Sequence, residues 1–167
     1  MFYFKEPLIN GESRILDIGS GHGFLTVCLA QIGKYVLGVE HIKELHVKSV
    51  ETVKNYYAHL MESNRIGFIR HDGRIKCWSE KFDLILIEAI VKHNLPQIFL
   101  QSLRPRGCVI AVIKANSRLQ LCRVTLDSQE RVTTQVLNSD HENLSQQYKD
   151  TLCDIRNQET SFLHRFK

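Results

Sequence analysis

A short apolar run, Arg14-Ile15-Leu16-Asp17-Ile18, passes directly into Gly19-Ser20-Gly21-His22-Gly23, and an amphipathic stretch follows at once. Three glycines in so short a segment suit neither a strand interior nor a helix interior, so the sequence reads as strand, tight loop, helix. Leu25, Cys28, Leu29 and Ile32 recur at i, i+3, i+4 and i+7, one face of a helix that Gly33 is placed to end. Such a start confines the chain to α/β folds with a parallel sheet, because the helix carries the chain back to begin a neighbouring strand.

The pattern then repeats. Residues 35–39 read as a second buried strand, and Ile42, Leu45, Val50, Val53, Tyr57 and Leu60 lay one apolar stripe along a long second helix. Strands are expected at 66–69, at 82–87, nearly all apolar as in a strand covered on both faces, and at 108–113. Residues 96–103 suit a short helix with Pro96 in its first turn. Residues 119–126 and 132–137 flank Asp127-Ser128-Gln129-Glu130-Arg131 as a hairpin. The order predicts a Rossmann-like, doubly wound α/β fold, mostly parallel, closed by an antiparallel C-terminal hairpin. Residues 1–13 are expected as a short lead, 14–137 as the domain, and 138–167 as a polar tail or docked helix.

Composition narrows the setting. With 167 residues, 43% hydrophobic and 24% charged, the chain supports one globular domain and excludes a disordered or fibrous class. The +4 charge comes from scattered basic residues, so no nucleic-acid partner is favoured. No stretch approaches the ~20 apolar residues of a membrane span, and Lys5, Glu6 and Pro7 interrupt the apolar start before a signal-peptide core forms. Five cysteines without a C-x-x-C pair point to a reducing cytoplasm, and a monomer is expected. Asn143-Leu144-Ser145 matches a glycosylation acceptor too short to carry weight without signs of secretion.

The loop and the acids around it indicate the ligand. A nicotinamide dinucleotide site would place its third glycine where Phe24 stands; here the third is Gly23. Asp17 is awkward beside a pyrophosphate but suits a ligand bearing an amino group and a sulfonium, as S-adenosylmethionine does. Glu40, 19 residues beyond Gly21 at the end of the second strand, is placed to accept both ribose hydroxyls, or else to serve as a carboxylate at a helix N-terminus. Asp72 with Gly73 could accept from an adenine amino group and turn the chain around the ring. The expected cofactor-binding set is Asp17, Gly19, Ser20, Gly21, Glu40, His41, Asp72 and Gly73. His22 is expected to face solvent, and Trp78 and Tyr57 to serve in packing. His41 and His46 stand about 140° apart on a helix, so no shared metal site is expected.

With these residues placed, Ile15 to Thr26 resembles the cofactor loop of protein-L-isoaspartate O-methyltransferases, and Gly38-Val39-Glu40-His41-Ile42-Lys43-Glu44-Leu45 resembles that family's second-strand signature. His71-Asp72-Gly73-Arg74, Lys81-Phe82-Asp83, Leu95-Pro96-Gln97 and Leu103-Arg104-Pro105-Arg106-Gly107 follow in the family's order, and the likeness fades beyond Leu137. The resemblance implies S-adenosylmethionine as cofactor and isoaspartyl-containing proteins or peptides as partners. The reaction it implies is methyl transfer to the carboxylate of L-isoaspartyl residues, the first step of repairing damaged proteins.

Three departures qualify it. The family carries a Ser or Thr hydroxyl segment before the first strand, whereas the 13 residues here hold no counterpart, as in an N-terminally truncated member. No catalytic residue is therefore assigned. Glu88-Ala89-Ile90-Val91-Lys92 replaces a glycine- and alanine-rich turn, which makes Glu88 an acceptor-side candidate that would repel an anion unless a nearby cation neutralises it. It can equally be a solvated strand end. Arg106 stands where the family has glycine, as a turn variant. A non-catalytic S-adenosylmethionine-binding module and a methyltransferase with another acceptor both stay open.

Overall fold

The computed structural model describes residues 8–75, 78–92, 95–115, 118–127, 129 and 131–139. The tail beyond position 139, Cys77 and Cys153 lie outside the described residues. Apolar and β-branched residues in the runs foreseen above form strands β1 (Arg14–Ile18), β2 (Tyr35–Glu40) and β3 (Ile66–Arg70). They alternate with helices α1 (Phe24–Ala30), α2 (Lys43–Tyr56) and α3 (Ala58–Glu62). The chain continues through β4 (Phe82–Lys92), α4 (Gln97–Gln101), β5 (Leu103–Ala115), β6 (Arg118–Leu126) and β7 (Val132–Ser139).

The seven strands form one sheet in the order β3-β2-β1-β4-β5-β6-β7. The β1/β2, β2/β3, β1/β4 and β4/β5 pairs are parallel, whereas β6 runs antiparallel to both β5 and β7. The chain steps outward from β1 to β3, then returns to place β4 on the other side of β1. That reversal makes the carboxyl ends of β1 and β4 the topological switch point, the place where open α/β sheets bind ligands.

Period-two alternation splits the sheet's side chains between two cores. Ile15, Val36 and Leu84 pack on one face beneath Val27, Leu29 and Ala30 of α1, Val53 of α2 and Leu60 of α3. Leu16, Ile18, Ile85, Ile87 and Val109 pack on the other with Phe99 and Leu100 of α4 and Cys122 and Val124 of β6. Burial on both faces explains why the central strands read as continuous apolar runs. No helix among the described residues is long and apolar enough to cross a membrane.

Several local expectations are corrected. On α1 the buried residues are Thr26, Val27, Leu29 and Ala30, while Cys28 is exposed and Ile32 is 54% exposed. The cause is polar: the Thr26 hydroxyl is drawn inward to Asp17, 2.6 Å away, and turns that side of the helix to the sheet. The long second helix is two, broken at Tyr57 (φ −136°, ψ 31°), which is 36% exposed instead of packed. Asn and Tyr are weak helix formers, and the break lets Leu60 turn down onto the core at 1% exposure.

Strands β4 and β5 outrun their expected limits. Between Ile87 and Ile90 the register shifts, leaving Glu88 and Ala89 without β5 partners, so Glu88 occupies a bulge within a strand. A second irregularity lies between Phe82 and Leu84, opposite Arg104 to Gly107. There Arg106 takes φ 67°, the left-handed conformation that costs a side chain about 1–2 kcal/mol and that glycine adopts freely. Arg106→Gly should therefore raise the free energy of unfolding by about 0.5–1 kcal/mol after the flexibility glycine adds to the unfolded chain. Urea titration of the two proteins measures it, and a less stable variant would refute the strain.

Candidate functional site

The glycine loop is held from two sides. The Gly19 and Ser20 amides both donate to the Val39 carbonyl at 2.8 and 3.2 Å, and the Gly23 amide donates to the Ser20 carbonyl at 2.7 Å. Gly19, Gly21 and Gly23 have φ of 85°, 53° and 81°, a left-handed sequence that other residues adopt only at a cost. Gly23 has a further reason to lack a side chain, since a Cβ there would meet Phe68 at 3.0 Å and the Ser49 Cβ at 3.1 Å. The third glycine thus fits this loop into the α1–β3 packing, which explains its offset from a dinucleotide spacing. His22 is exposed, as its sequence context suggested.

Glu40 ties this loop to the second strand. Its Oε2 accepts the Gly21 amide at 2.9 Å, its Oε1 accepts the Ile42 amide at 2.8 Å, and His41 Nδ1 lies 3.2 Å from Oε1. Burial raises its pKa, but the His41 contact and the Ile42 and Gly21 amides outweigh that effect and hold it below the usual carboxylate value. The helix-entry reading of Glu40 is visible here, since it bonds the residue that caps α2.

Asp17 is fully buried. Thr26 donates to its Oδ2 at 2.6 Å, while Oδ1 has no hydrogen-bond partner among the described residues. Burial pushes its carboxyl up to about 6; the Thr26 bond opposes the shift and the Glu40 charge adds to it. The Ser20 hydroxyl is also buried and unpartnered. Each orphaned atom leaves a desolvation penalty of about 1–3 kcal/mol that a polar ligand group could relieve.

Asp72 and Gly73 follow β3. Asp72 is gripped by Arg74 through the amide at 2.9 Å and through a forked guanidinium contact, and these bonds lower its pKa. Gly73 lies on Ile18, where a Cβ would come within 2.8 Å of the Ile18 side chain, so the chain closes down onto the end of β1. Glu88 flanks the other side of the loop, its Cβ 3.7 Å from where a Cβ on Gly19 would stand. Glu88 is exposed, and partial loss of hydration beside the loop, then the charges of Asp17 and Glu40, push its carboxyl up to about 7.

The sheet order therefore sets Glu40, Asp17 and Glu88 side by side on β2, β1 and β4, with the glycine loop among them. An open depression at Lys54, Ala58, Met61 and Glu62 belongs to the helices and plays no part here. Thr26, Phe68 and the β4 bulge escaped the sequence reading. A hydroxyl inside an apolar helix face after a strand-end acid was the available signal for Thr26; register-dependent features leave none.

Removing the Glu40 carboxylate strands two amides, so Glu40→Ala should lower the free energy of unfolding by about 2–4 kcal/mol, read by urea denaturation. A loss below about 0.5 kcal/mol would show that the loop stands without it. Asp17 has the opposite sign. Because folding raises its pKa, its contribution to stability is fully present below its unfolded value and is lost as pH rises through about 6. Relative to Asp17→Asn, the wild type should gain up to about 3 kcal/mol between pH 7 and pH 4. Unfolding curves of both proteins across that range test it, and parallel curves would refute it.

The comparisons agree with this fold. The family model for protein-L-isoaspartate(D-aspartate) O-methyltransferase matches residues 1–142. A Dictyostelium discoideum protein described as a protein-L-isoaspartate O-methyltransferase is 42% identical over 91 residues, covering 52% of this chain and 27% of its own length. The protein-L-isoaspartate O-methyltransferase of Triticum aestivum is 36% identical over 110 residues, 62% of this chain and 46% of its own. The chain thus spans between a quarter and a half of these curated relatives. A Plasmodium falciparum structure described as a protein-L-isoaspartate O-methyltransferase in complex with S-adenosyl-L-homocysteine superposes with a TM-score of 0.69 at 25% identity, covering 80% of this chain and 66% of that one. A family-model match over residues 1–142, on a fold of the expected kind, places the chain in the protein-L-isoaspartate(D-aspartate) O-methyltransferase family.

Proposed function

We propose that residues 14–137 bind S-adenosylmethionine and direct its methyl group to the free carboxylate of L-isoaspartyl residues in damaged proteins. The observation that carries this reading is a glycine loop walled by carboxylates, with orphaned buried acceptors at Asp17 and Ser20. A pyrophosphate would be repelled there, whereas a cationic adenosine ligand is attracted. The cofactor supplies a methyl group already activated on a sulfonium. Gly19 and Gly21 provide close backbone approach, Ser20 and Asp17 accept or share polar hydrogens, and Glu40 with His41 faces the sugar. Asp72, aligned by Arg74, and Gly73 border the base.

A carboxylate acceptor is ionised near neutrality and needs no general base, so the protein's task is in-line placement and partial desolvation. No catalytic side chain is required by that chemistry. Support for a reducing, cytoplasmic setting comes from the free thiols Cys28, Cys108 and Cys122, and a monomer acting on isoaspartyl peptides is the simplest assembly. The Glu88 carboxylate favours a second reading, in which the ligand is bound but the acceptor is not an anion.

Calorimetric titration with S-adenosylmethionine and with S-adenosylhomocysteine tests binding, and folded protein giving no heat with either would sink it. Radiolabelled methyl incorporation into an isoaspartyl peptide, beside its normal aspartyl twin, tests the reaction. Incorporation into the isoaspartyl peptide alone is expected. Binding without incorporation would move the assignment to the second reading.

A further inference from the structure

Among the described residues, Glu88 is the one acid of the strand-end row with no hydrogen bond to explain it. Glu40 secures the loop and Asp17 receives Thr26, whereas Glu88 stands on a two-residue bulge where resemblance to the family expects small residues. Ile87 is level with Ile18, the last residue of β1, so Glu88 begins where the glycine loop begins. We propose that Glu88 reads the charge on the ligand's sulfur, so that its ionised form holds the sulfonium S-adenosylmethionine in preference to the neutral thioether S-adenosylhomocysteine. The proposal rests on the cofactor reading above.

The chemistry isolates the effect. The two ligands share adenosine, amino and carboxylate groups, and differ only in one methyl group and one positive charge. Hydrogen bonds to these shared groups therefore largely cancel in the ratio of their affinities. A strand-end carboxylate beside the loop does not cancel. The charged groups around it are Asp17 on β1, Glu40 and His41 at the end of β2, and His22 in the loop, with exposed Lys92 and Lys114 farther out on β4 and β5. Desolvation and the Asp17 and Glu40 charges have already raised the Glu88 pKa to about 7, so its ionisation falls in the accessible range.

The sign follows. A cation near Glu88 favours the ionised carboxylate, so affinity for the sulfonium rises as pH increases through about 7. Affinity for the thioether gains nothing from that ionisation. After methyl transfer the site would then relax its hold on the spent ligand, which favours exchange.

Calorimetric dissociation constants for both ligands, measured on the whole chain at about pH 6 and about pH 8, give the test. The preference for the sulfonium should grow about three- to tenfold more across that interval in the wild type than in Glu88→Gln. Effects of the histidines and of Asp17 would survive in the variant and so be separated. Glu88→Ala provides a second variant, with circular dichroism to verify folding of each. A pH-independent preference in the wild type, or an unchanged rise in both variants, would overturn the proposal while leaving the cofactor reading intact. Failure of both ligands to bind would bring down the cofactor reading and this inference with it.

Discussion

Glu40 places one carboxylate where two chain reversals meet. One oxygen accepts the Gly21 amide of the glycine loop and the other the Ile42 amide at the entry to α2, so the ends of two strand-helix units are set by a single side chain. The loop between them has little rigidity of its own, with three left-handed glycines in five residues. The Val39 carbonyl, accepting from Gly19 and Ser20, completes the clamp. Charge-assisted bonds of this sort are stronger than neutral ones, and here they act on backbone atoms that cannot retreat along a flexible side chain. The positions of Asp17, Ser20 and Glu88 relative to one another follow from this fixture and from the sheet register.

What was legible in the sequence was local or periodic. The glycine loop, the strand-end acids and the alternation of strands and helices are all signals within a few residues, and β1 was bounded correctly because glycine stops it sharply. The hairpin was legible through its turn residues, and Asp127 does accept the Gln129 and Arg131 amides. The facing of α1 was not, because a rule that counts apolar residues ranks Cys28 above Thr26, whereas the buried acid at Asp17 demands a donor. Tyr57 failed for a related reason: an apolar stripe can cross a helix break and still look continuous.

The β4 bulge at Glu88 was the least legible region because it depends on register. Nothing local announces that Ile90, instead of Glu88, pairs with Val112 after Ile87 pairs with Ala111. In a strand, adjacent side chains face opposite ways, so an insertion of unpaired residues decides which way each of them faces. Arg106 is a similar case. Its left-handed backbone serves the β4–β5 irregularity across which Gly107 nestles against the Phe82 carbonyl, a requirement set by a neighbouring strand.

The site therefore combines two kinds of tension. Asp17 is held buried with one oxygen unserved, a state that favours the neutral acid in the free protein. Glu88 is pressed toward neutrality by the same row of charges. A ligand cation would relieve both at once, because it stabilises the ionised forms that the fold alone disfavours. An anion would instead be met by Glu40, whose hydrogen bonds keep it ionised. In the proposed function, selectivity for a positively charged ligand rests on the contrast between one acid that the backbone keeps charged and two whose ionised forms the fold disfavours.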